Sequence, residues 1–211
     1  MNCQSVEKNV FTDEQAQYIK NFIKEKFDAL EIISRSEQEM MTKIHSENIQ
    51  IEEALGRARY QIKEHDLRND ILITINNLAK KYNNKSVLNS MTFASYSNKY
   101  GMPKLPPHID KHDNNVSMFY QLQSNTEWPL FVQQESSILL DNETLILNTR
   151  NVVHWREPKV FQDGEFVNMI FFHFHDGSKS MLTVQDRYDI PKPWNDIYNR
   201  ISIEKYGKTF L

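Results

Sequence analysis

From Lys85 onward the chain changes rhythm, and that change limits its possible folds more than any other feature. Short runs rich in β-branched and aromatic residues alternate with polar breaks: Ser90 to Tyr96, Val116 to Leu122, Leu130 to Gln133, Ser137 to Leu140, Thr144 to Leu147, Val152 to Trp155 and Phe166 to Phe174. Such side chains suit a pleated, half-buried surface, and short strands at this spacing predict a sandwich or barrel. Before Lys85, from about Thr12 to Tyr82, the apolar residues recur at helical spacing. Thr12 and Gln15 read as a capping box, and Ile19, Phe22, Ile23, Phe27 and Leu30 then trace one helix face. A second helical segment is expected through Met40, Met41, Ile44, Ile51 and Leu55, with the charged run Glu47 to Arg68 as a solvated helix face. Asn69 or Asp70 is placed to cap a third helix, with Ile71, Ile75 and Leu78 turned inward. The tail from Asp186 carries Pro191, Pro193 and Trp194, then a short helix near Trp194 to Ile203. The expectation is one domain over residues 1–211, mainly β with α. A helical segment at about 12–84 packs outside a mostly antiparallel β core at about 88–178, and 179–211 form a C-terminal extension.

Such a domain needs a sizeable core, and 211 residues with 39% hydrophobic content suffice for one. The formal net charge of -3 advertises no general basic field for nucleic acid or an anionic membrane. Met1 to Val10 carries no apolar run of signal-peptide length, and no stretch approaches ~18 apolar residues, so a soluble, unexported chain is expected. The single cysteine, Cys3, makes no internal disulfide, iron–sulfur site or thiolate zinc site, and it fits a reducing, cytoplasmic setting. No nucleic-acid or membrane partner is indicated, and the sequence assigns no oligomeric state.

The chemistry concentrates in Pro106-Pro107-His108-Ile109-Asp110. Successive side chains of a strand alternate faces, so His108 and Asp110 point the same way and supply two adjacent ligands to one ion. His154, 44 residues beyond Asp110, offers the third from a neighbouring strand. Two histidines and one carboxylate leave open positions on a metal, which suits ferrous iron; zinc accepts the same ligands in a tetrahedral site with one open position. Continuing the alternation puts Asn148, Arg150, Val152 and Arg156 on the face of His154, and Leu145, Leu147, Val153 and Trp155 opposite. That fits a largely polar cavity around His154, and equally a solvent-exposed face. His112 and Asp113 read as a polar loop after the strand, and His173 and His175 as surface or structural residues. Trp128 and Trp155 read as core or rim packing.

Taken together, Tyr96, His108-x-Asp110, Glu127-Trp128-Pro129-Leu130 and His154-Trp155-Arg156-Glu157-Pro158, followed by the strand Phe166 to Phe174, resemble the 2-oxoglutarate- and Fe(II)-dependent oxygenase superfamily, in its prolyl 4-hydroxylase-like branch. The resemblance covers roughly 80 of the 211 residues. It implies a double-stranded β-helix, or jelly roll, with Fe(II) held by His108, Asp110 and His154. It also implies 2-oxoglutarate and O2 as co-substrates, with decarboxylation to succinate and CO2 driving hydroxylation of an unactivated C–H bond in a small molecule or amino-acid side chain. Members usually place an Arg or Lys about ten residues after the distal histidine to bind the far carboxylate. Here the strand Glu165 to His175 has no basic residue except its histidines. Arg156 is the substitute, with the Tyr96 hydroxyl as second donor, in preference to Asn168 or His173 and with Arg150 in reserve; a guanidinium holds a carboxylate through two parallel bonds. Two other readings use the same residues: a jelly-roll hydrolase or isomerase with zinc activating water, and a non-catalytic binding module that retains the fold.

Overall fold

The computed structural model describes residues 4–35, 37, 48–110, 114–147, 152–177 and 192–209. Cys3, Met40, Met41, Ile44, His112, Asp113, Asn148, Thr149, Arg150, Asn151 and Pro191 lie outside the described residues. In chain order the elements are β1 (Gln4–Lys8), α1 (Asp13–Ala29), β2 (Ile32–Ser34), β3 (Ile49–Glu52), β4 (Arg57–Ile62), α2 (Asn69–Tyr82), β5 (Val87–Tyr96), β6 (Leu105–His108), β7 (Val116–Ser124), β8 (Leu130–Val132), β9 (Glu135–Ser137), β10 (Glu143–Leu147), β11 (His154–Arg156), β12 (Val167–His175) and α3 (Lys192–Tyr206). Among the described residues the strands form two sheets, in the orders β1-β10-β7-β12-β5-β4-β3-β2 and β6-β11-β8-β9. Every pairing is antiparallel except β2 with β3. This is the jelly roll, with its larger sheet extended by three strands from the first half of the chain.

Period-two alternation sorts the larger sheet into two faces. Met91 and Phe93 of β5, Met118 and Tyr120 of β7, and Ile170 and Phe172 of β12 pack outward against Ile19 and Ile23 of α1 and Ile71 and Ile75 of α2. Their neighbours Ala94, Tyr96, Phe119, Val167 and Met169 point inward and meet Leu105, Leu130, Val132 and Val152 from the smaller sheet. The outer face of that smaller sheet, Val153 and Trp155, is covered by Tyr198 and Trp194 of α3. The order across the molecule is therefore helices, sheet, sheet, helix. Thr12 caps α1 through the reciprocal pair with Gln15. The cap of α2 falls at Arg68, one residue before the expected Asn69, and supplies no side-chain bond.

The helical expectation for Ile51, Leu55 and the run to Arg68 is corrected by the structure. Ile51 lies in β3, Leu55 in a single 3-10 turn, and Arg57 to Ile62 form β4. Ile51 and Leu55 are four residues apart, a helical interval, but Gly56 interrupts the helix and Arg57-Ala58-Arg59-Tyr60-Gln61-Ile62 alternates strictly. Its even-numbered members are buried against the helices. Strand β9 also starts and ends earlier than Ser137 to Leu140, which leaves Ile138 and Leu140 exposed.

The turn between β3 and β4 rests directly on the segment leading into β6. Gly56 has φ +60, and a Cβ there would fall 2.4 Å from the backbone of Met102 and Pro103. Backbone bonds from Ser97 N–H to Gly56 O and from Lys104 N–H to Leu55 O, both 3.3 Å, hold the contact. Gly56→Ala should therefore lower unfolding stability by on the order of 1–3 kcal/mol, the size of a local backbone strain. Urea denaturation would show it as a lower midpoint at unchanged slope.

Candidate metal centre

Strands β6 and β11 pair so that His108 and His154 are direct partners, with an irregularity between His154 and Arg156 that accommodates Pro106 and Pro107. Proline has no ladder donor, so such a shift in register is where a strand tolerates it. The two imidazole centroids lie 4.2 Å apart. Asp110 follows the end of β6, and one ligand atom from each of His108, Asp110 and His154 falls within 4.8 Å of the others. The separation of His154 Nε2 from Asp110 Oδ1 is 3.7 Å.

The tautomers favour metal binding. His108 Nδ1 lies 2.9 Å from Pro106 O, and His154 Nδ1 lies 3.1 Å from Val152 O. A carbonyl only accepts, so each Nδ1 carries the proton and each Nε2 presents a lone pair. His154 Nε2 and Asp110 Oδ2 are buried with no hydrogen-bond partner. Orphaned buried polar atoms are rare in proteins, and a cation held by His154 Nε2 and the Asp110 carboxylate would satisfy them. Burial alone would raise the Asp110 carboxyl, but facing imidazoles of His173, His154 and His108 outweigh it and hold it well below the ordinary carboxylate range. The residues present thus fit a divalent ion.

The walls differ from the sequence expectation. His154 is fully buried, its ring edge-on to Phe119 at 4.9 Å, and its interior neighbours Leu130, Val132 and Val152 are apolar. Val152 and Arg156 share the interior with His154, and Val153 and Trp155 face out, as expected; Leu145 and Leu147 also point inside because β10 and β11 are separate strands, and Asn148 and Arg150 lie outside the described residues. Trp128 and Trp155 are buried packing residues. Trp128 donates Nε1–H to Glu157 O at 2.8 Å, and Trp155 stacks on Phe131. His173 lines the cavity beside the candidate ligands, with Nδ1 3.8 Å from Asp110 Oδ2.

Arg156, two residues past His154, is also buried inside the jelly roll. Its guanidinium lies over the Trp128 ring at 4.7 Å, donates to Trp128 O, and contacts Met169 Sδ at 3.1 Å. Among the described residues no carboxylate pairs with it. Burial lowers its pKa to about 10, with the nearby Tyr96 opposing, so it remains a cation at neutral pH. Tyr96 is fully buried, edge-on to Trp128 at 4.9 Å, and its hydroxyl accepts from Arg57 at 2.9 Å.

On the other side of the ligands a cavity of about 340 Å³ opens between Pro107, Phe171, His173 and a charged group from the first half of the chain. That group is Glu52 with Arg35, Arg57 and Arg59, all missed in sequence. The one signal was the alternation in β4, which separates Arg57 and Arg59 from the buried Ala58, Tyr60 and Ile62.

The fold is shared with 2-oxoglutarate-dependent enzymes. A Trichoplax adhaerens prolyl hydroxylase, solved with a hypoxia inducible factor oxygen degradation domain peptide, matches at 12% identity and TM-score 0.57 over 91% of this chain and 89% of that one. HygX from Streptomyces hygroscopicus, solved with nickel and 2-oxoglutarate, matches at 9% and 0.54, over 86% and 85%. SnoK, a non-heme alpha ketoglutarate dependent carbocyclase of nogalamycin biosynthesis, matches at 10% and 0.59, over 88% and 85%. No protein-family profile matches the sequence, and no curated protein matches it. No helix among the described residues is long and apolar enough to cross a membrane.

His154→Ala should abolish stoichiometric binding of Fe(II) or Ni(II) while preserving the far-ultraviolet spectrum, because the change removes a ligand and leaves the backbone pairing of β11 with β6 and β8 intact. Anaerobic dialysis followed by metal analysis reads the loss directly.

Proposed function

We propose that this chain is an Fe(II)- and 2-oxoglutarate-dependent dioxygenase, hydroxylating an unactivated C–H bond of a small molecule or amino-acid side chain, and acting as a single domain in the cytoplasm. His108, Asp110 and His154 hold the iron; Arg156 and Tyr96 hold the far carboxylate of 2-oxoglutarate. The observation that carries this reading is the Arg156 guanidinium, buried without a carboxylate partner among the described residues and one strand-step from three convergent candidate ligands. Two residues along a strand span roughly 6.6 Å, about the reach of a five-carbon dicarboxylate chelated at its other end. A buried, unpaired cation is costly, and a carboxylate guest offsets that cost.

The bound iron and co-substrate supply the oxidising chemistry. The protein supplies placement. His108 and His154 keep their Nε2 lone pairs aimed because their Nδ1–H groups are tied to Pro106 and Val152. Arg156, flattened against Trp128, presents its fork without losing further rotamer freedom. The Tyr96 hydroxyl accepts from Arg57 and so has its own proton available for a carboxylate oxygen. Phe119 and Phe171, edge to face at 5.5 Å, form an apolar wall that keeps bulk water from the reacting carbon.

The deciding experiment adds Fe(II) and then 2-oxoglutarate anaerobically, watching for the weak visible charge-transfer band of the chelate. A band in the natural protein, lost in His154→Ala, is the expected result; iron bound without a band would turn the reading toward a hydrolase or isomerase. Arg156→Ala should keep its metal and need about 10- to 100-fold more 2-oxoglutarate, the worth of a charge-assisted pair. Arg156→Met should leave the metal-free protein as stable as before or up to about 4 kcal/mol more so, since an apolar replacement removes a buried charge.

A further inference from the structure

Among the described residues that line the cavity in front of the candidate ligands, arginines outnumber carboxylates. Glu52 is 5% exposed and is shared by three guanidiniums: Arg57 Nε donates to it, Arg59 Nη1 lies 3.1 Å away, and Arg35 Nη1 3.6 Å. All four residues line the same cavity as His108 and Asp110. Arg35 is largely exposed, and the two more deeply set guanidiniums, Arg57 and Arg59, share this one carboxylate. Asp110, the other acidic residue among the described lining, faces the candidate metal position. Two partly buried guanidiniums on one carboxylate favour a further anion between them.

The three arginines do not play equal parts. Arg57 is engaged on two sides, by Glu52 and by the Tyr96 hydroxyl, with its guanidinium 5.7 Å from the Tyr96 ring. It fixes the group from below. Arg59 sits two residues along the same face of β4, bonds Glu52 through Nη1, and keeps a third of its side chain open to the cavity. Glu52 thereby orients Arg59 from behind, as a bidentate oxyanion site requires. Burial and the adjacent Arg57 both depress the Arg59 pKa, with Glu52 opposing, so an arriving anion relieves repulsion already present.

We propose that the substrate carries an oxyanion head group, a carboxylate or a phosphoryl group, and that Arg59, held by Glu52 and flanked by Arg57 and Arg35, is the residue that receives it. The rest of the molecule then extends past Phe171 and His173 toward the metal ligands, along the lining of the cavity. The inference rests on the oxygenase reading only in calling the guest a substrate; the anion seat itself is a property of the protein alone.

The test uses the metal-free full chain, so that an added anion has no cation to coordinate, in an Arg156→Met background, so that the deep guanidinium is gone. Thermal midpoints are measured against inorganic phosphate and against acetate at constant ionic strength, and dissociation constants follow from the rise with concentration. The midpoint should climb with anion concentration. Adding Arg59→Met should weaken the constant about tenfold or more, as loss of a charge-assisted pair does. Adding Arg68→Met instead, which removes equal charge from the exposed cluster with Asp70 and Glu14, should leave it unchanged. Arg59→Lys, which keeps the charge without the fork, should fall between and covers the case in which Arg59→Met does not fold. The stronger response, to phosphate or to acetate, names the head group. A flat midpoint in the Arg156→Met protein, or an Arg59→Met constant equal to its parent's, overturns the proposal. Because 2-oxoglutarate and iron are absent, neither outcome depends on how they bind.

Discussion

Two of the shortest strands in the molecule, β6 with four residues and β11 with three, carry the candidate centre, and everything functional depends on how they pair. Their register sets His108 opposite His154 and leaves Arg156 one step deeper on the same face. A slip of one residue would turn all of these side chains outward, because strand period is two. So short a pair is not stable by itself. It is held between an apolar interior on one side and α3 on the other, where Tyr198, fully buried, and Trp194 close over Trp155. The larger sheet supplies the interior, and the helices α1 and α2 stiffen that sheet from behind.

Much of this was readable in the sequence because it obeys short-range rules. His108-x-Asp110 follows from alternation alone, and α1 from the Thr12–Gln15 pair followed by a helical stripe. The strands β5, β7, β8, β10, β11 and β12 coincide with runs of branched and aromatic residues. The first half was misread where two periodicities compete. Ile51 and Leu55 sit at a helical interval, and the charges from Glu47 to Arg68 look solvent-facing by composition. Glu52, Arg57 and Arg59 instead line a cavity and pair across β3 and β4, which is tertiary information. The same limit explains the walls of the centre. The outward placing of Leu145 and Leu147 assumed one continuous strand from Leu145 to Arg156, whereas Leu145 and Leu147 lie in β10 of the larger sheet and His154 to Arg156 in β11 of the smaller. His173 seemed a peripheral histidine by position and proves to stand beside Asp110, since β12 crosses directly behind the cavity.

The interior has an uneven electrostatic layout. Among the described residues its floor holds one guanidinium, Arg156, set among Trp128, Met169 and Tyr96 with no carboxylate paired to it. Its mouth holds three more around a single glutamate. Between them lie the imidazoles and Asp110, with apolar Phe119 and Phe171 filling the spaces. Tyr96 joins the two ends, since its hydroxyl meets Arg57 while its ring and charge field reach Arg156. Cationic sites on both sides of a metal allow two anionic molecules to approach one ion without competing for the same donor.

The turn at Gly56 gives that layout a fixed length. Through Gly56 O and Leu55 O it is bonded to Ser97 and Lys104, and the backbone N–H of Lys159, just beyond β11, reaches Pro103 O at 3.0 Å. Main chain therefore links the strand bearing Arg59 to the strand bearing His108 and to the exit of the strand bearing His154. A molecule gripped at its head by Arg59 is measured against the metal by a rigid gauge. Among several chemically equivalent carbons along its length, the one attacked is chosen by its separation from the head group, and regiochemistry becomes a property of backbone geometry.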